Sequence, residues 1–289
     1  MLRRLLASLL LGLVVAGLIA AGASLWGYLQ YARPGPAVAE VTVVLERGAS
    51  LQRIGERLAE AGVLTDPDVF VLAARLAGRG RGLKAGEYRF RPHASMARIL
   101  AKLRAGRTVV RRLTVPEGLT TAEVLALVRA AEALAGDLGP APPEGSLLPE
   151  TYHYRFGDTR AGLIQRMRAA MAKAVAEIWA QRLPESPLAT PEEASVLASL
   201  VEKETGLASE RARIASVFTN RLRRDMRLQS DPTVVFALTG GRGPLERPLK
   251  RADLEIDSPY NTYRVKGLPP APIANPGRAA LLAAVRPLQ

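Results

Sequence analysis

The 289-residue sequence predicts an α+β protein: an N-terminal transmembrane helix, a small α/β region, and a mainly α domain with irregular loops. Three observations predict it. An uncharged apolar run opens the chain, a strand–turn–helix pattern recurs between Val43 and Val128, and capped amphipathic helices follow a Gly/Pro-rich loop. Hydrophobic residues make up 48% of the chain, enough for buried cores in both regions.

Met1-Leu2-Arg3-Arg4 precedes an uncharged stretch from Leu5 to Gln30. About 20 apolar residues cross a bilayer core, so this segment is long enough to span. Arg3 and Arg4 are expected to stay cytoplasmic, which places everything after Tyr31 outside. Trp26, Tyr28 and Tyr31 then mark the outer interface. A cleaved signal peptide is the alternative, since Ala21-Gly22-Ala23 has the small residues of a cleavage site, but the length of the run favours a retained anchor. Either way the protein is exported.

Residues 32–39, with Pro34, Gly35 and Pro36, read as a juxtamembrane linker. After them the sequence echoes itself. Val43-x-Leu45, Ser50, Ile54 and Leu58 give a strand, a turn with a serine cap, and a helix. Tyr88-x-Phe90, Ser95, Ile99 and Leu103 repeat the pattern, as do Leu113-x-Val115, Thr120, Val124 and Val128. The offsets are too irregular for a solenoid and suit one or two small α/β modules. A Gly/Pro/Ala loop, Gly139 to Pro143, marks the expected boundary, giving an α/β region at 40–143 and a second domain at 144–289.

In that second domain, 162–182, 190–205 and 209–224 read as helices, and 258–276 as an ordered Pro/Asn/Tyr-rich loop before a last helix at 277–285. The second helix is the most informative. Thr190 is its N-cap, Pro191 its first residue and Glu193 the reciprocal capping partner. Ala194, Leu197, Ala198, Val201 and Thr205 form the core-facing stripe. At about 100° per residue, Glu204 falls about 60° from Val201, at the edge of that stripe, and Glu202 about 100° away on the other side. A carboxylic acid beside a packed face, close to the helix C-terminus, is expected to hold its proton as a general acid must.

Composition excludes several chemistries. Without cysteine there is neither a disulfide nor a thiolate site, and two histidines, His93 and His153, argue against a metal centre. No cofactor is expected. The formal charge of +13 comes from scattered arginines without interleaved aromatics. Together with export this argues against nucleic acid; anionic headgroups or cell-wall peptide carboxylates are the partners such a surface suits.

Four polar segments supply carboxylates, amides and tyrosines, the side chains of a carbohydrate cleft. They are Glu144 to Tyr152, the Glu202/Glu204 helix, Asn220 to Thr233, and Ser258 to Tyr263 running into Gly267-Leu-Pro-Pro270-Ala-Pro-Ile273. The prolines are expected to stiffen one wall. Read singly, Asp231-Pro232 is a common turn initiator.

Three of these stretches carry a resemblance: Ala198-Ser-Leu-Val-Glu-Lys-Glu-Thr205, Arg221-Leu-x-x-x-Met-x-Leu-Gln-Ser-Asp-Pro-Thr233, and Tyr260-Asn-Thr-Tyr263 with Gly267-Leu-Pro-Pro270. In this order they resemble the endolytic murein transglycosylase (YceG-like) family of membrane-anchored cell-wall enzymes. Gly48-Ala49-Ser50-Leu51-x-x-Ile54 resembles a LysM module, a glycan-binding βααβ unit.

The resemblance implies a lysozyme-like catalytic domain from about Gly145, anchored in the bacterial inner membrane with that domain outside. It implies cleavage of the MurNAc-β-1,4-GlcNAc bond within peptidoglycan strands, leaving a 1,6-anhydro end. Glu204 takes the acid/base role, with Glu202 as runner-up. Glu150, Tyr152, Asn220, Gln229, Asp231, Thr233, Tyr260, Asn261 and Tyr263 are expected to line the cleft. Cell-wall synthases are the implied protein partners. Members of that family continue past Pro276-Gly277 into strand-forming sequence, so the resemblance also implies a catalytic domain short at its C-terminus. A non-catalytic glycan-binding scaffold and a muramidase-type hydrolase are the competing readings.

Overall fold

The computed structural model describes residues 2–78 and 82–288. It is mixed α+β, mostly helical, with two small antiparallel sheets and one apolar helix at the N-terminus. That helix, α1 (Leu2–Ala32), is long and apolar enough over Leu6–Ala32 to cross a membrane. Trp26 and Tyr28 are exposed near its end, while Tyr31 packs against the core of the first unit.

The chain divides into two compact units, 1–110 and 111–289. In the first, β1 (Val41–Leu45) leads to α2 (Leu51–Glu60), α3 (Pro67–Leu76), β2 (Gly86–Phe90) and α4 (Met96–Ala105). The strands pair antiparallel from Val41 opposite Phe90 to Leu45 opposite Gly86. Ser50 and Ser95 cap α2 and α4 as the sequence pattern predicts, accepting from Arg53 N–H and Arg98 N–H. The repeated apolar positions Ile54, Leu58, Tyr88, Phe90, Ile99 and Leu103 meet in one core. Tyr88 is fully buried, and its hydroxyl donates to the Lys84 carbonyl at 2.6 Å, so its burial strands no polar group. The pattern gave no sign of α3. Its start is written in Asp66-Pro67, whose aspartate accepts from the N–H groups of Asp68 and Val69.

The third strand–turn–helix unit, β3 (Arg111–Thr114) and α5 (Thr121–Ala130), belongs to the second compact unit, so the division falls well before the expected boundary at 143/144. The reason is pairing. β3 lies antiparallel to β4 (Thr151–Tyr154), a strand the sequence reading missed, and α5 packs on α6 (Arg160–Trp179). Thr120 and Glu123 make a reciprocal capping box at the start of α5.

α7 (Pro191–Glu204), α8 (Arg211–Arg223) and α10 (Arg278–Val285) share a second core with the end of α6. Between them lie α9 (Asp231–Thr239) and a 3₁₀ turn at Arg251–Glu255. Asp231-Pro232, read as a turn, instead opens α9, because proline is well tolerated in a first helical turn. The loop from Ser258 to Pro276 is irregular, as expected.

Candidate active site

α7 is built as its sequence dictates, with one difference at the cap. Thr190 accepts from Glu193 N–H at 3.2 Å, but the Glu193 carboxylate reaches past Thr190 to accept from Ala189 N–H at 2.6 Å. The predicted stripe is buried: Ala194, Leu197, Ala198, Val201 and Thr205 all face the core. The helix stops at Glu204 because Thr205 turns extended and its hydroxyl donates to Glu210 at 2.8 Å.

The two glutamates differ from expectation. Glu202, placed away from the stripe, is the enclosed one, its side chain 3% exposed. Its Oε1 accepts from Arg211 Nη2 at 3.0 Å and its Oε2 from Gly277 N–H at 2.8 Å. Glu204, expected beside the packed face, is exposed, because α8 and the start of α10 close over the side of α7 that carries Glu202. Glu202 is thus fully committed, and Glu204 is the accessible carboxylate.

Glu204 accepts from the Ser230 hydroxyl at 3.2 Å. Next to Ser230, Asp231 accepts from the Tyr263 hydroxyl at 2.5 Å. That hydrogen bond, then burial and the negative charges of Asp231 and Glu204, push the Tyr263 phenol up to about 12. One cluster therefore joins the end of α7, the start of α9 and the loop at 258–263.

What holds the loop to α9 is a buried layer of threonines. Thr233 and Thr262 share a hydrogen bond of 2.9 Å between their hydroxyls, Ser230 N–H donates to Thr262 Oγ1 at 3.0 Å, and Gln229 N–H donates to Thr262 O at 3.1 Å. Gln229 itself has φ 52°, a left-handed conformation that costs a side-chain-bearing residue about 1–2 kcal/mol. The strain sits where the chain must reverse between α8 and α9.

The expected cleft residues sort accordingly. Asp231, Tyr263 and exposed Gln229 lie at or beside Glu204's cluster. Thr233 and Asn261 are fully buried and face inward rather than lining a cleft. Asn261 donates to the carbonyls of Leu254 and Ile256 at 2.9 and 2.8 Å and accepts from Tyr263 N–H, so it shapes the loop that presents Tyr263. Tyr260 packs on Phe236, ring centres 4.9 Å apart. Asn220 is exposed at the end of α8, accepting from Arg223. Glu150 pairs with Arg278 at 3.7 Å. Tyr152 is buried with its hydroxyl on the Leu148 carbonyl, and burial, then the Glu150 charge, raises its phenol.

Ser230 and Thr262 are the residues sequence reasoning missed. Both lie inside the motifs that suggested the cleft, flanked by residues chosen for bulkier polar groups.

Two hollows flank this region. A groove of about 760 Å³ opens beside the N-terminal half of α7, lined by Gln165, Arg168, Pro191, Ser195, Pro270 and Pro272. The prolines do form a wall there, but Glu204 lies nine positions along the helix from Ser195, about 13 Å along the axis. A second hollow of about 510 Å³ adjoins Tyr263 and is rimmed by Arg227, Arg251, Arg264 and Glu255, the last two paired at 3.8 Å. The second adjoins the cluster through Tyr263.

The YceG-like family model matches residues 43–289. An endolytic murein transglycosylase of Streptococcus pneumoniae serotype 2 (strain D39 / NCTC 7466) is 32% identical over 288 residues, covering 83% of this chain and 51% of that protein. One of Bacillus subtilis (strain 168) is 29% identical over 278 residues, covering 86% of this chain and 76% of that protein. The chain thus spans about half the length of the pneumococcal relative. The crystal structure of a putative yceG-like protein from Listeria monocytogenes superposes with a TM-score of 0.51 at 29% identity, covering 86% of this chain and 91% of that one.

Proposed function

The chain belongs to the YceG-like family, and from that premise we propose that it is a membrane-anchored endolytic peptidoglycan lytic transglycosylase. It cleaves the MurNAc-β-1,4-GlcNAc bond within glycan strands and leaves a 1,6-anhydroMurNAc end. The observation that carries this reading is the division of labour on α7. Glu202 is consumed by Arg211 and Gly277, while Glu204 is exposed and touched by a neutral hydroxyl. The relatives named endolytic murein transglycosylase support the reaction type.

In this mechanism Glu204 is the general acid and then the base. Its proton goes to the glycosidic oxygen as the C1–O4 bond breaks. The C6 hydroxyl of the same muramic acid attacks C1, and the Glu204 carboxylate takes the hydroxyl proton. No water is consumed, so one carboxylate suffices where hydrolysis commonly uses two. Ser230 steadies the carboxylate, and the Asp231–Tyr263 pair holds an aromatic ring beside it on which a sugar can stack. In the hollow beside Tyr263, Arg227 and Arg251 suit the carboxylates of stem peptides, while Arg264 is paired with Glu255.

α1 serves as the anchor, with Arg3 and Arg4 inside and the chain after Tyr31 outside the membrane. The β-α-α-β order of the first unit supports a LysM-like, glycan-holding role for residues 41–90. Cell-wall synthases are the protein partners this role calls for.

The test is mass spectrometry of muropeptides released from purified sacculi by the full chain in detergent, wild type against Glu204→Gln. Anhydro-ended products that disappear with Glu204→Gln establish the reaction and its acid. Reducing-end products point to a hydrolase, with Asp231 as the second carboxylate. No release by a folded wild type leaves a glycan-binding scaffold.

A further inference from the structure

The first unit carries a basic groove that the proposed reaction does not use. It has a volume of about 660 Å³ and lies along α4 and the chain that enters it. Four cations surround it: Arg91, Arg98, Lys102 and Arg107. The floor is apolar, made by buried Phe90 and Ile99 with Pro92 and three alanines, Ala94, Ala101 and Ala105.

Among the described residues, the guanidinium groups of Arg91, Arg98 and Arg107 make no ion pair. Lys102 donates to the Arg89 carbonyl and lies 5.6 Å from the centre of the Phe90 ring. Burial, then the charges of Arg91, Arg89 and Arg107, lower its pKa, against the opposing pull of Glu40. Glu40, however, is held by Arg89 at 3.2 Å. Four cations gathered without an acid among them leave a field that an anion would relieve.

The groove's place in the fold says which anion. Its rim, residues 91–94, is clasped to the linker that follows the apolar helix: His93 N–H donates to the Ala37 carbonyl at 2.8 Å, and Gly35 lies so close to the Ala94 carbonyl that a side chain there would collide with it. Ala37 lies five positions beyond Ala32, where α1 ends, a reach of at most about 18 Å. If α1 crosses the membrane, the groove stands at the level of the headgroups. A cationic rim over an apolar floor matches a phosphate with the start of a hydrocarbon chain beneath it, and matches a free anion less well.

We propose that this groove is a binding site for the phosphate headgroup of an anionic membrane lipid, held by Arg91, Arg98, Lys102 and Arg107. Such a lipid would fix the first unit against the bilayer surface and so set the height at which the rest of the chain works. The site stands on charge, shape and position in the first unit, and is independent of the reaction assigned to Glu204.

The experiment uses the full chain in uncharged detergent, titrated with dihexanoylphosphatidylglycerol, dihexanoylphosphatidylcholine and inorganic phosphate by isothermal calorimetry. The expected result is binding of the phosphatidylglycerol at least tenfold tighter than either of the others. That preference is expected to vanish in Arg91→Gln/Arg98→Gln/Arg107→Gln, three exposed positions, and to persist in the charge-matched control Arg104→Gln/Arg129→Gln/Arg213→Gln. Equal binding of the two lipids overturns the proposal, as does inorganic phosphate binding as tightly as the anionic lipid. Loss of the preference in both triple variants also overturns it, because net charge alone would then explain the effect.

Discussion

Arg211 Nη2 lies 3.0 Å from Glu202 Oε1, and the two side chains are 11% and 3% exposed. The same nitrogen lies 3.0 Å from Glu117, and the other Glu202 oxygen is held by Gly277 N–H. This buried pair ties α7 to α8 and to the start of α10. Removing one member of a buried, hydrogen-bonded ion pair leaves the other charge unpaired, at about 3–5 kcal/mol. Arg211→Met strands the Glu202 carboxylate and is therefore expected to destabilise the second unit by that order in urea denaturation, whereas Glu202→Gln, which leaves Arg211 its bond to Glu117, is expected to cost less.

Glu204→Gln is expected to behave oppositely. Its side chain is exposed and touched by one hydroxyl, so stability should change by no more than about 0.5 kcal/mol. Release of anhydro-ended muropeptides should fall by about 10²–10⁴-fold, the range that general acid–base catalysis supplies. A stability loss in Glu204→Gln as large as that of Glu202→Gln would show that the roles of the two glutamates are reversed.

Gly277 has an ordinary φ of −78°, so its lack of a side chain matters for space. A Cβ there would collide with the Glu117 carboxylate. Glu117 is half exposed and can swing away, giving up its bond to Arg211, so Gly277→Ala is expected to cost about 1 kcal/mol. The cost should disappear in a Glu117→Ala background, which a double-mutant cycle of melting temperatures would read.

Much of this was legible in the sequence, because the features that set it are local. Caps at Ser50, Ser95, Thr120 and Thr190 and the apolar periodicity after each of them define four helices. The motif around Glu204, Asp231 and Tyr263 likewise brought together residues that do meet. What was not legible depended on partners distant in the chain. The unit boundary followed from β3 pairing with a four-residue strand nearly forty positions on, too short to announce itself. Which glutamate is buried was decided by α8 and α10 closing over α7, not by the angle of either residue on its own helix. Asn261 and Thr233 read as ligands because polar side chains within a motif resemble cleft residues, whereas here they satisfy buried backbone and hydroxyl groups.

Glu144 gives an acid-side prediction. Its Oε1 accepts from Thr121 N–H at 2.7 Å, the Thr121 hydroxyl at 3.1 Å and Gly145 N–H at 3.3 Å. Burial nevertheless outweighs these bonds and raises its pKa above 4.5. A raised carboxyl contributes stability that is fully present below pH 4.5 and lost as pH rises through the folded value. Glu144→Gln keeps a carbonyl oxygen for the same donors without the buried charge. It is expected to raise the denaturation midpoint at pH 7 and to match wild type below pH 4.5.

Tyr263 gives the alkaline counterpart. Its phenol is raised from 10.0 to about 12, chiefly by its bond to Asp231. The unfolded chain releases that proton near pH 10 while the folded chain keeps it, so the contribution is complete below pH 10 and disappears as pH rises toward 12. Tyr88, Tyr152 and Tyr260 are raised too, by burial, so wild type alone would not isolate the effect. The difference between wild type and Tyr263→Phe does. Between pH 10 and 12 the wild-type denaturation midpoint should fall more steeply than that of Tyr263→Phe, and the two slopes should coincide between pH 7 and 9. Glycan turnover by Tyr263→Phe should fall less than that of Glu204→Gln, because the ring stays while only its tether to Asp231 is lost. Parallel midpoint curves through pH 12 would show that the Tyr263–Asp231 bond does not form in solution.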